Sequence, residues 1–351
     1  MSTAADVESV ASRRGSLAVE ADSLCKDYKL GHSQTLHAVR DVSFSLYRGA
    51  VVALVGESGS GKSTVAKLLA GQEHLTSGSI RLDGEPVDVS SRRSFRQYKS
   101  EVQMVFQDPF ASLNPVHTVR HHLDRPVRLH QRTHSKAQVT AEVTELLERV
   151  HLTPPEQYLG KYPHELSGGQ RQRVSFARAL AARPTVLLAD EPVSMLDVSI
   201  RLEMLGLLDE LRRDFRLALL YITHDIASAR YFADEVLVMY AGEIVERGPA
   251  EELTQQPAHP YTQLLVASAP DPDNLGGTLR EGAKHTVRPG AGAATAGCPF
   301  NPRCPFADDH CLAEDPVLQR VSDTRAAACW HLDAAAASRP GVVTAGRESE
   351  V

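Results

Sequence analysis

The sequence predicts an α/β fold with a mostly parallel sheet at its core. Three short apolar runs fit buried strands: VVALVG at 51–56, VLLAD at 186–190 and LALLYI at 217–222. Segments of helical character lie between them, among them an amphipathic stretch over residues 199–213. This alternation of strand and helix along the chain is typical of a parallel sheet covered by helices.

The remaining elements extend this core. A β-rich stretch begins at Leu17, IRLDGEPV carries an Asp-Gly turn that indicates a hairpin, and EVLVMYAGEIVERG fits a closing hairpin. We therefore expect an antiparallel β subdomain beside the core. Between about residues 116 and 165, apolar residues at helical spacing predict a small α-helical subdomain. Its apolar face comprises Val139, Val143, Leu146, Leu147 and Val150.

Composition sets the expected boundaries along the chain. Residues 17–268 form the main domain, and a linker rich in Pro, Gly and Ala covers residues 269–297. Residues 298–332 form a small cysteine-rich domain. Residues 1–16 are small and polar, and residues 333–351 form an alanine-rich tail, so we expect both to be disordered.

Charge and hydropathy narrow the class of protein. The net charge of −6 argues against nucleic-acid binding. No apolar run approaches the roughly 18 residues that span a bilayer, and the N-terminus lacks an apolar signal core. We therefore expect a cytoplasmic protein whose role at a membrane comes through a partner.

The segment GESGSGKS at residues 56–63 has the pattern of a phosphate-binding loop, because it follows a strand and precedes a helix. Its glycines let the backbone wrap the phosphates, Lys62 reaches the β- and γ-phosphates, and Ser63 ligates Mg²⁺. The alternative is a chance glycine-rich turn. The nucleotide-binding set comprises Gly56, Glu57, Ser58, Gly59, Ser60, Gly61, Lys62, Ser63 and Thr64.

An acidic pair follows the second apolar run. Asp190 ends that strand, where its carboxylate can reach the metal of a bound nucleotide, and Glu191 can orient or deprotonate the attacking water. Alone, each residue would read as a surface carboxylate or a helix cap. Behind a strand and together with a phosphate-binding loop, the pair predicts hydrolysis of ATP with Mg²⁺.

Together with LSGGQ at residues 166–170, these motifs resemble the ATP-binding subunit of an ABC transporter over residues 17–268. The resemblance implies that Tyr28 stacks on adenine, although an ordinary strand aromatic is the alternative. It also implies that Gln107 senses Mg²⁺ and the γ-phosphate, and that His224 is the switch histidine.

The same resemblance implies a site shared between two chains. The signature residues Ser167, Gly168, Gly169 and Gln170 would contact the ATP of an opposite subunit, and Asp197 belongs to the adjoining D-loop. Met195 stands there where the family usually has alanine. Since the chain has no internal repeat, the second ATPase must come from another copy or a related chain.

Several longer segments resemble the oligopeptide/dipeptide permease ATPases, which include importers of nickel and oligosaccharides: QDPFASLNP, YPHELSGGQRQR, DEPVSMLDVSI and HPYTQLL. The resemblance implies two transmembrane permease subunits as partners, an indirect link to an extracytoplasmic substrate-binding protein, and a peripheral position on the cytoplasmic face of the membrane. A soluble ABC ATPase outside transport is the main alternative. A regulatory subunit and an exporter fit less well.

Four cysteines crowd the end of the chain. Cys298, Cys304, Cys311 and Cys329 are separated by five, six and seventeen residues, which is not the paired spacing of a zinc ribbon. Four thiolates suit an iron–sulfur cluster or zinc, while unligated or disulfide-bonded cysteines remain an alternative. The surrounding segment resembles the permease tail, which in some members holds a 4Fe–4S cluster.

Two further features carry weaker signals. Five histidines crowd the predicted helical subdomain without regular ligand spacing, so a solvated polar face is favoured over a metal site. Cys25 is interpreted as a core thiol. The histidines are His117, His121, His122, His130 and His134.

Overall fold

The computed structural model describes residues 15–30, 34–88, 91–108, 112–130, 135–269 and 296–333. Most of the linker and of the two segments expected to be disordered lie outside the described residues, as does His134. In chain order the strands are β1 (Leu17–Leu30), β2 (Gln34–Tyr47), β3 (Val51–Val55), β4 (Ser77–Leu82), β5 (Glu85–Pro86), β6 (Val102–Val105), β7 (Val186–Asp190), β8 (Ala218–Thr223), β9 (Glu235–Tyr240), β10 (Glu243–Pro249), β11 (Gln319–Arg320) and β12 (Ala326–Ala327).

The helices lie mainly between the strands of the core. They are α1 (Lys62–Leu69), α2 (Arg92–Glu101), α3 (Val119–His130), α4 (Lys136–Arg149), α5 (Glu156–Leu159), α6 (Gly168–Leu180), α7 (Val198–Phe215), α8 (Ile226–Phe232), α9 (Ala250–Gln255), α10 (Pro260–Ser268) and α11 (Asp309–Ala313). Short 3₁₀ turns occur at Pro163–Glu165 and Asn301–Arg303. Across the described ranges, no helix has both the length and the hydropathy that a membrane crossing requires.

The larger sheet confirms the predicted parallel core. Its order is β11-β12-β10-β9-β3-β8-β7-β6, and the strands from β9 to β6 are parallel. Strands β3, β7 and β8 are buried along their whole length, as expected for strands covered on both faces. Because their carboxyl ends meet at one edge, the loops that follow them form the candidate site.

The smaller sheet and the helical region also match the sequence-based expectation. Strands β2, β1, β4 and β5 form an antiparallel sheet, and β4 and β5 are joined through the turn at Asp83 and Gly84. Both turn residues have positive φ, 50° for Asp83 and 82° for Gly84. In the helical region, α4 packs on α3 and α6, and its predicted apolar face is buried.

The structure does not confirm a separate cysteine-rich domain. Strands β11 and β12 continue the larger sheet next to β10, and Cys298, Phe300 and Cys311 belong to the main hydrophobic core. A segment this short buries too little apolar surface to fold on a core of its own. It therefore completes its burial against the main domain.

Candidate functional site

The loop between β3 and α1 is shaped by glycines packed against neighbouring backbone. Gly61 has φ +105°, and a Cβ there would lie 2.3 Å from the Ala38 carbonyl oxygen. A Cβ on Gly56 would lie 2.2 Å from the Met239 carbonyl oxygen. Only glycine fits either position, so the loop can wrap closely around an anion at the N-terminus of α1.

Lys62 is buried beneath this loop and bonds to it. Its Nζ donates to the carbonyl oxygens of Gly56 at 2.7 Å and Glu57 at 2.8 Å, and to Ser60 Oγ at 3.4 Å. Burial lowers the pKa of Lys62, and the nearby Glu191 and Asp190 carboxylates oppose that shift. A buried ammonium group with oxygen acceptors on several sides is well placed to bind phosphate oxygens.

Ser63 and Asp190 meet directly below the loop. The Ser63 hydroxyl donates to Asp190 Oδ1 at 3.1 Å, and Asp190 is buried at the end of β7. Burial raises the pKa of Asp190, the Ser63 hydrogen bond opposes this, and the Glu191 charge adds to it. A hydroxyl and a carboxylate are ligands that Mg²⁺ accepts beside nucleotide phosphates, and a bound cation would offset the burial of this charge.

Glu191 is the point where three strand ends converge. Gln107 Nε2 donates to Glu191 Oε2 at 2.9 Å, and His224 Nδ1 lies 3.3 Å from the same oxygen. The backbone of Glu191 has φ +44° and its N–H donates to the Ile222 carbonyl at 2.9 Å. Non-glycine residues with this rarely populated backbone conformation are often found at functional sites.

The signature residues form the N-terminus of α6. Ser167 caps α6: its Oγ accepts from the Gln170 N–H at 3.2 Å, and Gln170 Oε1 accepts from the Ser167 N–H at 3.0 Å. Gly168 and Gly169 form the first turn of α6. Asp197, the predicted D-loop residue, is the N-cap of α7.

Tyr28, the predicted adenine-stacking residue, lies on β1, and the Lys26 ammonium is 4.8 Å from the centre of its ring.

Two residues that the sequence did not single out contact the phosphate-binding loop. Arg303 forms a two-pronged ion pair with Glu57, with Nη1–Oε2 at 2.7 Å and Nη2–Oε1 at 2.8 Å. The Tyr261 hydroxyl accepts from the Glu57 N–H at 2.8 Å. The only signal in the sequence was an arginine between two cysteines, which says nothing of a partner 246 positions away.

Three of the four C-terminal cysteines, Cys298, Cys311 and Cys329, are buried, and Cys304 is half-buried. Burial raises the pKa values of Cys298, Cys304 and Cys329 to about 11, and the neighbouring thiolates add to this rise. Burial also raises the pKa of Cys311. Buried thiols with raised pKa values stay protonated near neutral pH unless a cation binds them.

A groove of about 830 Å³ opens between α2, β6 and α3. His117 and His121 stack with ring centres 3.9 Å apart, and His122 lies beside them with its Nε2 3.0 Å from the Asn114 carbonyl oxygen. The groove is also strongly basic. Its cationic lining comprises Arg92, Arg96, Lys99, Arg125 and Arg178.

Comparison with known proteins identifies the family. Residues 39–194 match the model of the ABC transporter, and residues 245–311 match that of the oligopeptide/dipeptide transporter C-terminal region. The di/tripeptide transport ATP-binding protein DppF of Pseudomonas aeruginosa (strain UCBPP-PA14) is 42% identical over 307 residues, 86% of this chain and 92% of the relative. The oligopeptide transport ATP-binding protein AppF of Bacillus subtilis (strain 168) is 40% identical over 294 residues, 83% of this chain and 88% of the relative.

The solved structures agree with this match. The dimeric structure of MJ0796, a bacterial ABC transporter cassette, is similar with a TM-score of 0.60 at 27% identity, over 66% of this chain and 99% of that one. A second structure of the same cassette, in a post-hydrolysis state with ADP and Pi, has the same TM-score of 0.60. The chain therefore belongs to the ATP-binding proteins of the ABC transporter family, with the C-terminal region of its oligopeptide/dipeptide members.

Proposed function

We propose that this ABC ATPase energises the uptake of peptides or related small solutes through partner membrane subunits. The convergence of Gln107 and His224 on the Glu191 carboxylate, next to the Lys62 loop, is the observation that carries the proposal. The names of its relatives support the peptide class, since DppF and AppF are called di/tripeptide and oligopeptide transport proteins.

The residues divide the reaction between them. On binding ATP, Lys62 exchanges its loop carbonyls for β- and γ-phosphate oxygens, and Tyr28 stacks on adenine. Ser63, Asp190 and Gln107 would hold Mg²⁺, which would neutralise charge on the phosphates. Glu191 accepts the proton of the attacking water, while His224 and Gln107 orient its carboxylate. The remaining loop residues from Gly56 to Thr64 surround the phosphates, and those other than Glu57, whose N–H bonds to Tyr261, supply backbone N–H groups to them.

A second ATPase subunit would complete the site. Ser167, Gly168, Gly169 and Gln170 lie at the start of α6, where backbone N–H groups can bind a γ-phosphate held by an opposite chain. The capping box keeps the Ser167 side chain at that end, and Asp197 is the N-cap of α7. The dimeric ABC cassette among the structural neighbours supports this arrangement.

The basic groove beside α3 would receive the membrane subunits at the cytoplasmic face of the membrane. It begins at Phe106, next to Gln107, so a displacement there would be felt by the residue that contacts Glu191. His117, His121, His122 and His130 line this groove. An extracytoplasmic substrate-binding protein would contact the permease subunits and not this chain.

The cysteine segment would hold a 4Fe–4S cluster with a structural role. Zinc bound by four thiolates at about 2.3 Å would bring them to roughly 3.8 Å from one another. Among the described residues, the potential ligand atoms that lie within 4.8 Å of one another belong to Asp308, Cys311 and His331. We favour a cluster over a single ion because no three of the four thiols lie this close together in the described residues. Anaerobic purification followed by iron, sulfide and zinc analysis separates the two.

Uptake by the assembled complex tests the proposed function. The chain should be reconstituted with the permease subunits and binding protein encoded beside it, in vesicles containing ATP. We expect ATP-dependent accumulation of labelled di- or oligopeptides, which unlabelled peptide abolishes. Accumulation of nickel or an oligosaccharide instead would correct the substrate class. ATP hydrolysis without partners or transport would support the alternative of a non-transport ATPase.

A further inference from the structure

The phosphate-binding loop is held at one residue from three directions. Glu57 donates its N–H to the Tyr261 hydroxyl at 2.8 Å, accepts the Lys62 ammonium at its carbonyl at 2.8 Å, and pairs its carboxylate with Arg303. Two of these three partners lie in the C-terminal part of the chain. The residue next to the predicted phosphate-binding backbone is therefore positioned by a distant segment.

Arg303 is itself fixed in place. Its guanidinium lies 5.8 Å from the Tyr240 ring centre and 5.5 Å from that of Phe300, both rings pack on Tyr261, and its side chain is 12% exposed. The attraction between the guanidinium and these aromatic rings stabilises this position of the Arg303 side chain. The two-pronged geometry also fixes the plane of the Glu57 carboxylate.

Arg303 lies in a backbone turn between two of the cysteines. The Asn301 N–H donates to the Cys298 carbonyl at 3.0 Å, and the Cys304 N–H donates to the Asn301 carbonyl at 3.2 Å. These bonds form the tight turn that carries Arg303. The fold of this turn, set between two cysteines, thus reaches the nucleotide site through a single side chain.

We propose that Arg303 is a positioning residue for nucleotide binding, through which the folded cysteine segment sets the conformation and charge of the phosphate-binding loop. The inference rests on the proposed ATP site. Without Arg303, the Glu57 carboxylate would be free to move and would stand unneutralised beside the bound triphosphate. Both effects oppose ATP binding, and neither requires Arg303 to contact the nucleotide.

A double-mutant cycle on the full-length chain tests this proposal. Arg303→Gln, Glu57→Gln and the double variant are compared by binding of a fluorescent ATP analogue and by amide hydrogen exchange in residues 56–63. We expect Arg303→Gln to weaken binding about five- to tenfold and to speed exchange in the loop. The double variant should bind like Glu57→Gln, because the unpaired carboxylate is then absent.

The controls separate this coupling from other losses. Arg320→Gln removes an arginine from the same segment whose partner, Asp323, is exposed, and should leave binding unchanged. If Arg303→Gln does not fold, Arg303→Lys, which keeps the charge but not the fork, should show a smaller loss. Unchanged binding and exchange in folded Arg303 variants, or additive effects in the cycle, would overturn the proposal. Lys62→Ala run in parallel tests the ATP site itself, so retained binding there would reject the site and not the coupling.

Discussion

At the scale of single residues, Glu191 is placed for chemistry by its neighbours. Gln107 and His224 both reach one carboxylate oxygen, so an isosteric amide can keep the geometry while losing the base. We expect Glu191→Gln to lower steady-state hydrolysis by at least about 10²-fold while ATP binding persists and an ATP-bound dimer accumulates. Turnover and nucleotide-dependent dimerisation in the assembled complex measure both. Glu203→Gln, an exposed change on α7, is the control, and near-normal turnover in Glu191→Gln would refute the role.

Lys62 is expected to act in ATP binding rather than in hydrolysis, because its ammonium binds the phosphate-binding loop of its own chain. Replacing it by alanine removes the buried cation beneath the phosphates and the three bonds that brace the loop. We expect Lys62→Ala to weaken ATP binding to the isolated chain, measured by titration with a fluorescent analogue. Lys67→Ala, one turn further along α1, should bind ATP normally. An unchanged affinity in Lys62→Ala would contradict the assignment.

The sequence could predict residues whose partners lie along the same strand–loop–helix unit. Lys62 and Ser63 follow β3 directly, and Asp190 ends the strand that faces them, so local pattern was sufficient. Arg303 and Tyr261 could not be found that way, because their contact with Glu57 depends on how the end of the chain packs. Nothing in the residue types of Arg303 and Tyr261 indicates a contact with Glu57, which only the tertiary packing creates.

At the scale of elements, the residues of the candidate site follow the ends of neighbouring parallel strands. In the sheet, β6, β7 and β8 are adjacent, with Val105 opposite Ala189 and Asp190 opposite Ile222. The residues that follow these strands therefore meet at one edge, which is why Gln107, Glu191 and His224 converge. Apolar strand patterns predicted this arrangement, whereas the added strands β11 and β12 are too short to give any pattern.

Helix α6 carries the expectation that concerns the opposite subunit. Ser167 is exposed at its N-terminus, so a large cation there would obstruct a second chain without entering the loop of its own chain. We expect Ser167→Arg to block ATP-dependent dimer closure while the isolated chain still binds ATP. Ser167→Asn, which keeps a capping acceptor, should retain closure better. Loss of ATP binding by folded Ser167→Arg monomer would show that the signature acts within one chain.

The junction of β10 with β12 depends on a buried ion pair. Arg325 Nη2 lies 3.2 Å from Glu246 Oε1, and Glu246 also accepts the N–H groups of Ala258 and His259 at 2.8 Å. Removing Arg325 leaves a buried carboxylate without its cation. We expect Arg325→Ala to lower the free energy of unfolding by about 3 kcal/mol, measured by urea denaturation. Arg320→Ala should change it little, and equal stability in the two variants would rule out a structural role for the pair.

At the scale of the whole molecule, the cysteine segment and the ATPase domain fold as one body. The sequence suggested that residues 17–268 would bind ATP without the tail, because cysteine spacing and a Pro-Gly-Ala linker indicate a separate unit. The structure instead joins the two through a shared sheet, a shared core and the Glu57–Arg303 pair. Binding of ATP and integrity of the tail should therefore be linked.

Cys304→Ser separates these two views. Losing one thiol should lower bound iron and sulfide, loosen the turn that holds Arg303, and reduce the yield of assembled complex. Because Arg303 contacts the loop, we expect nucleotide affinity to fall together with metal content, whereas an independent tail would leave affinity unchanged. Metal analysis, visible absorbance and nucleotide titration on the same anaerobic samples measure this, with Cys25→Ser, on β1 and outside the cysteine segment, as the matched control. Stoichiometric zinc without iron or sulfide in the unsubstituted protein would reject the cluster, and the affinity comparison would still decide whether the segment acts on the loop.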